Sequence, residues 1–407
     1  MIVKNKQYFK FCSYGFLKSL RFFMAFFILF FLQKGLSYTQ IGLLYSIREI
    51  FINIFEVPSG IFADTYGRKN SLITSFILYI ISFYIFYISN TFLPFVLAFI
   101  LYGVAEAFRS GTHKGMIMDY LRLNGWGDQK IDYYGHTRSW SQKGSAISSL
   151  IAGIIVFHSG KYENIFLISI IPYILNLFLI LSYPKELNHP IRKDKKSKEG
   201  IVSTIKSLFQ IIKEPKVLKI INYSALHTAY LKAIKDYIQP LMINIALIIP
   251  IMSHTKIDKK SGIVIGILYF FIYLLTSKAS LLSSKLAKKK INIPYVTLLL
   301  GISLGTISGI FYIYNLWIVS IIAFVGIYIV ENIRKPILVG YISDNVPNEI
   351  LTSVLSVQSL LKTVMTATIA SLFGIFSDLF SIGVSFVIIS LSLIIISLLL
   401  NFYKKEK

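Results

Sequence analysis

The residues of this chain best placed to do chemistry are ionisable side chains set inside apolar runs. Arg21 lies midway along an apolar stretch at 10–32, Arg48 and Glu49 lie midway along 38–62, and Glu56 follows two turns later. Glu106 and Arg109 lie midway along 92–121, three apart, so they share a helical face. Further on, Lys232, Lys235 and Asp236 fall within 217–249 and Lys362 within 350–377; Lys232 and Asp236 are four apart, a spacing that pairs along a helix. Charges placed in hydrocarbon are functional candidates by default. The chemistry open to them is recognition of a charged solute, and proton exchange at a carboxylate whose surroundings alternate between desolvation and an approaching arginine. Glu106 beside Arg109 and Arg21 meets that requirement best, with Glu49 and Glu56 behind it. The alternative is an ion-paired packing cluster that touches no ligand.

The elements that position these groups follow from composition. Of 407 residues, 55% are hydrophobic and 15% charged, with a mean hydropathy of +0.66; a soluble chain carries about a quarter charged residues. Apolar blocks of about twenty residues match a hydrocarbon core of ~30 Å crossed as helix. The sequence predicts an all-α membrane protein with twelve spans, at 10–32, 38–62, 71–89, 92–121, 138–158, 164–183, 217–249, 261–285, 292–313, 315–338, 350–377 and 381–402. With the N-terminus in the cytoplasm, the inner loops hold Arg68 and Lys69, Arg122 and Lys130, the segment PKELNHPIRKDKKSKEG, KLAKKK, Arg334 and Lys335, and the tail YKKEK. The outer loops hold only Lys34, Lys161, Lys256, Lys259 and Lys260 as basic residues. That asymmetry obeys the positive-inside rule and puts both ends in the cytoplasm. The basic segment 184–216 separates a first group of six spans, within 1–183, from a second, within 217–407. Its part GIVSTIKSLFQIIKEP carries Ile201, Ile205, Leu208, Phe209 and Ile212 at helical spacing, which predicts an amphipathic helix on the anionic leaflet. Gly301, Gly305 and Gly309 line one face of the ninth span, a pattern for close helix packing.

Several function classes drop out. The net charge of +23 is accounted for by loop lysines and arginines that set topology, so nucleic acid is not expected as a partner. The six histidines have no metal-ligand spacing, the single Cys12 allows no intrachain disulfide, and no metal or other cofactor is expected. No nucleophile–base constellation is visible, which argues against an enzyme; a membrane-embedded enzyme or sensor is the remote alternative. The first 23 residues lack a small-residue cleavage site and read as a helix that stays. Glu331, Arg334 and Lys335, near the end of the tenth span, read as side chains snorkelling to the interface, and the many Tyr and Phe as lipid-facing belts.

One stretch points to a family. GIFADTYGRK, with Gly60, Asp64, Gly67, Arg68 and Lys69, resembles the loop between the second and third helices of the major facilitator superfamily, and it falls after the second span on the inner face. AEAFRSGTHKGMIMDYL resembles the fourth helix of many prokaryotic members through its Ala-Phe-Arg-Ser-Gly core; FEVPSG and GLSYTQIGLL extend the likeness over the first half. In the second half SLLSSKLAKK is a weak echo of the loop motif, with Ser284 where Asp64 stands, and NVPNEILTSVLSVQSLLK resembles the start of the eleventh helix, with Leu351-Thr352-Ser353 where Arg-Ala-Thr is usual. The resemblance implies two six-helix bundles that rock around a mid-membrane site. It also implies a gate latch of Asp64, Arg68 and Asp119, with Asp64 at the N-terminus of a helix of the other half, and Arg21, Glu106 and Arg109 as cavity residues. Likeness to efflux members implies a monomeric exporter of a small molecule in a prokaryotic cytoplasmic membrane, driven by a proton gradient. The rival is proton-coupled uptake of a small anion or nutrient.

Overall fold

The computed structural model describes residues 3–188, 215–248, 257–279, 293–345 and 348–402. Among these the chain is helical throughout, without a strand. Its α-helices are α1 (Lys6–Lys18), α2 (Phe27–Gln33), α3 (Tyr38–Tyr66), α4 (Arg68–Ile88), α5 (Phe92–Arg109), α6 (Thr112–Leu123), α7 (Lys130–Ser159), α8 (Asn164–Leu181), α9 (Pro215–Ile234), α10 (Ile238–Ile248), α11 (Ile257–Ala279), α12 (Ile293–Ile313), α13 (Trp317–Asn345), α14 (Asn348–Leu379) and α15 (Ile382–Phe402). Eight stretches of the described residues are long and apolar enough to cross a membrane, with Phe92–Leu123 counting as one. Of the stretches that fall short, α1, α2 and α10 are too short, and in α3, α7 and α9 polar side chains interrupt the apolar run. The expected amphipathic helix over 201–212 and the Ser280–Lys289 echo lie outside the described residues.

Three spans expected to be continuous are broken. The first becomes α1, a 3-10 turn at Phe22–Ala25, and α2. The fourth breaks at Ser110–Gly111, where Gly111 takes φ +73°, a conformation that a side chain would strain. The seventh passes from α9 through a 3-10 turn, Lys235–Tyr237, into α10. Broken helices are tolerated in a membrane only where side chains or a cavity satisfy the freed backbone.

By packing, the chain divides into two units that interleave its sequence halves. The first holds Met1–Lys34, Ile47–Ser197 and Met252–Tyr273; the second holds Gly35–Ser46, Lys198–Ile251 and Leu274–Lys407. In the first, α4 packs on α5 and α8, and α1 on α7 and α8. Its core is aromatic: Phe23, Phe27, Phe30, Phe31, Phe83, Phe86, Phe95, Phe99 and Phe166 are all fully buried, and Phe23 stacks on Phe166 with centroids 5.0 Å apart. These rings fill a core, a place the expectation of lipid-facing belts and cavity walls did not include, and each adds edge-to-face or offset contacts beyond its area. Gly15 and Gly144 let α1 approach α7, since a Cβ at Gly144 would strike the Phe16 carbonyl and one at Gly15 the Ser141 hydroxyl. Gly153, Gly262 and Gly266 do the same for α7 against the start of α11.

In the second unit, α12 packs on α13 and α15, and α9 on α14. Ile220, Ile221, Ala225, Ile342, Val354 and Val357 form one core cluster there. Asp378 accepts hydrogen bonds from the backbone N–H groups of Tyr38 and Thr39, at 2.9 and 2.7 Å, a carboxylate where the helix dipole favours one. Of the three glycines on α12, only Gly309 faces backbone, that of Gly383; Gly301 faces the His227 ring and Gly305 the Tyr230 hydroxyl. The small-residue face therefore makes room chiefly for two side chains of α9, which corrects a reading in terms of helix approach alone.

Candidate functional site

The first unit carries a knot of charges where two helices end. Lys18 is the last residue of α1 and Arg109 the last of α5, positions where the helix dipole favours a cation. Arg21 sits in the turn after α1, with φ −99° and ψ 81°. Its Nε donates to the Tyr173 hydroxyl at 2.8 Å and its Nη1 to the Tyr102 hydroxyl at 2.6 Å. Its Nη2 lies 3.5 Å from Glu106 Oε2. Arg109 donates from Nη2 to Glu106 Oε1 and from Nε to the Tyr79 hydroxyl at 3.2 Å; Tyr79 in turn donates to Glu106 Oε2. Tyr173 also donates to the Lys18 carbonyl, 3.2 Å away, satisfying one of the acceptors freed where α1 stops. The three residues that the sequence named as cavity candidates thus meet at one point, tied to α4 and α8 by tyrosine hydroxyls. The guanidinium of Arg21 also stands over the rings of Tyr79 and Tyr102, at 5.7 and 5.9 Å.

Two cavities adjoin the knot, each of about 240 Å³. One is lined by Lys18, Arg21 and the α7 face Ser141, Gln142, Ser145, Ser148 and Ser149. The other is lined by Tyr14, Lys18, Arg109, His113, Lys114 and Arg138 among others. Lys18, Ser141 and Gln142 belong to both. Sequence reasoning missed α7 as a wall. The signal was present: Thr137, Ser141, Ser145 and Ser148 recur every three to four residues along α7, which places them on one helical face.

Glu49 is fully buried beside Arg48, whose Nη2 is 3.1 Å from its Oε1. Glu56 is exposed. Asp236 is buried in the second unit and accepts from the Tyr45 hydroxyl at 3.0 Å; the 3-10 turn that begins at Lys235 interrupts the continuous helix on which a Lys232–Asp236 pair was expected. Lys232 and Lys362 are half-buried.

At the loop motif, Arg68 pairs with Asp119, which also holds Arg122 at 3.1 Å. Gly115 leaves the space that the Arg68 guanidinium fills, and Gly67, at φ +93°, starts α4 where a Cβ would strike Asn188. Asn188 Oδ1 accepts from the backbone N–H of Lys69 at 3.1 Å. Lys69 Nζ donates to the carbonyls of Leu181 and Tyr183, at 2.7 and 2.9 Å, so it closes the end of α8. Asp64 is half-buried, and Gly60 is exposed with open space where a Cβ would stand.

A second buried cluster corrects the snorkelling reading. Glu331 and Arg334 are 2% and 1% exposed, and only Lys335 reaches out. Glu331 Oε2 lies 2.8 Å from His227 Nδ1, and its Oε1 accepts from Thr228 at 2.8 Å. Arg334 donates to the Pro294 and Tyr223 carbonyls at 2.7 and 2.5 Å. A carboxylate cannot stay buried without such partners, and they come from α9, which no local spacing relates to α13.

A bundle of apolar helices, broken where half-buried charges meet beside polar cavities, is the build of a multi-pass membrane transport protein. The sequence model of the Major Facilitator Superfamily matches residues 11–368, and the chain belongs to that family. It is 24% identical over 366 residues to the uncharacterized MFS-type transporter YxaM of Bacillus subtilis (strain 168), covering 89% of this chain and 86% of that one. Over a shorter stretch of 120 residues it is 30% identical to the hexuronate transporter of the same organism, 30% of this chain and 28% of that one. Among solved structures, the nucleoside transporter NupG (D323A mutant) superposes with a TM-score of 0.77 at 14% identity, over 98% of both chains. A D-xylose-proton symporter does so with a TM-score of 0.68 at 14% identity, over 97% of this chain and 96% of that one. The chain is therefore a membrane transporter with a small-molecule substrate, and not an enzyme.

Proposed function

We propose that this protein is a proton-coupled secondary transporter that moves a small molecule by alternating access, with Glu106 as the carboxylate that exchanges the coupling proton. Taken with the loop charges, each broken pair (α1 with α2, α5 with α6, α9 with α10) counts as one interrupted span. That reading has twelve spans in two six-helix bundles with both ends in the cytoplasm, and we take the protein to act as a monomer in a prokaryotic cell membrane, without nucleic acid. The observation that carries the reading is the knot itself. Two guanidiniums and the Tyr79 hydroxyl converge on one carboxylate at the ends of interrupted helices, so movement of either helix end changes the charge that Glu106 faces. Rocking of bundles around a fixed midplane site supplies such movement. The loop motif, with Arg68 on Asp119, supports a latch that also involves Asp64.

Direction is proposed as export by proton antiport, from the likeness of the first half to efflux members. A second reading, uptake of a small anion, is supported by the basic lining of both cavities and by the hexuronate transporter among the relatives. Respiring everted vesicles with a pH-reporting dye separate the two. Protons leave the lumen on addition of a substrate if the protein is an antiporter. No release, together with solute uptake by intact cells driven by external acid, would replace export with import.

A further inference from the structure

The two cavities of the first unit are lined by five cations, Lys18, Arg21, Arg109, Lys114 and Arg138, and by no aspartate or glutamate. Glu106, behind them, is taken up by Arg21 and Arg109, and Lys114 stands over the Tyr134 ring at 5.4 Å. Lys18 is different. It lies on the boundary of both cavities, half-buried, and among the described residues its ammonium makes neither an ion pair nor a hydrogen bond. An ammonium drawn out of water without a counter-charge is costly. The Ser148 hydroxyl lines one of these cavities with Lys18, is 4% exposed and has no hydrogen-bond partner among the described residues. A buried unpartnered hydroxyl in the same cavity as an unpaired cation leaves that cavity one donor group and one charge to use.

We propose that Lys18 is the counter-charge for an anionic substrate, one whose carboxylate or phosphate oxygens bridge Lys18 and Arg138 while neutral hydroxyls meet the serine face of α7. This rests on the proposed reading of the protein as a transporter whose coupling carboxylate, Glu106, adjoins these cavities, and it fixes the substrate class. The ligand supplies the negative charge that the cavity lacks, and a cation bound there would face Lys18, Lys114 and Arg138, which no carboxylate of the lining offsets. Lysine suits the role because its ammonium is a compact donor on a flexible stem, able to follow the ligand as the helix end moves.

The test is binding to the purified protein in nanodiscs of zwitterionic lipid, where no headgroup carries net charge. The probes are D-glucuronate, inorganic phosphate, neutral D-glucose and the cation tetraphenylphosphonium, read by thermal shift and titration. At least one of the two anions binds while glucose and tetraphenylphosphonium do not. Glucuronate alone assigns a carboxylate ligand and phosphate alone a phosphate ligand. Lys18→Gln weakens that binding about ten- to a hundredfold, as loss of a charge-assisted hydrogen bond does, and Lys18→Arg restores most of it. Should Lys18→Gln not fold, Arg138→Gln, an exposed position, is read in its place, with several-fold weaker binding expected. Unchanged anion affinity in the folded variants, binding of tetraphenylphosphonium in preference to both anions, or binding of neither anion overturns the proposal. Binding is read without transport, so a protein that binds an anion but moves no protons contradicts the coupling role of Glu106 and leaves this site standing.

Discussion

Glu331 and Glu106 are both carboxylates set among apolar residues, yet they differ in what surrounds them. Glu106 has two arginines and a cavity beside it; Glu331 has His227 and Thr228 in a site sealed from solvent. Glu331→Ala leaves His227 without its counterpart, and removal of one member of a buried pair costs about 3 kcal/mol. The expected result is a clearly lower thermal midpoint of the purified protein, while Lys335→Ala, 51% exposed, moves it little, as exposed pairs contribute about 0–1 kcal/mol. An unchanged midpoint for Glu331→Ala would show that the cluster is not structural. The knot was legible from sequence because charge inside hydrocarbon is rare, and because Glu106 and Arg109 are a helical turn apart. The pairing of His227 with Glu331 was not, since 104 residues separate them and neither has a local signature.

At the scale of elements, hydrophobic blocks gave the helices, but not their interruptions. The break at Gly111 had a visible cause in a glycine at positive φ. The break after α1 had none: residues 19–26 contain neither glycine nor proline, and Arg21 is held in its turn by tyrosines of α5 and α8. Local propensity gives way there to a tertiary tie. The loop motif divides in a similar way. Gly67 is required by backbone conformation and by Asn188, whereas Gly60 has open space around it. Gly67→Ala therefore lowers the thermal midpoint by the equivalent of about 1–2 kcal/mol, and Gly60→Ala leaves it nearly unchanged or slightly raised, as alanine favours helix. Equal effects at the two positions would contradict this account of the motif.

For the whole molecule, the loop charges make a statement that chemistry can check. Cys12 is the only cysteine and is buried, so a Cys12→Ser background accepts single reporter cysteines. An impermeant maleimide added to intact cells labels Lys34→Cys and Lys161→Cys but not Arg122→Cys or Lys185→Cys, if both ends are cytoplasmic. The reverse pattern would invert the topology. The helical membrane class and the family were readable in the sequence because hydropathy and the Gly60–Lys69 motif are both local. The packing units were not, because they exchange Gly35–Ser46 and Met252–Tyr273 across the sequence halves, and the helix contacts inside each unit rest on glycines such as Gly42, Gly153 and Gly262 whose neighbours only the fold supplies. The central claim is that Glu106 carries the coupling proton. It is tested most directly by substrate-induced proton flux in proteoliposomes, comparing the native chain with Glu106→Gln. The account predicts flux in the native protein and none in the variant; equal flux in both would contradict it.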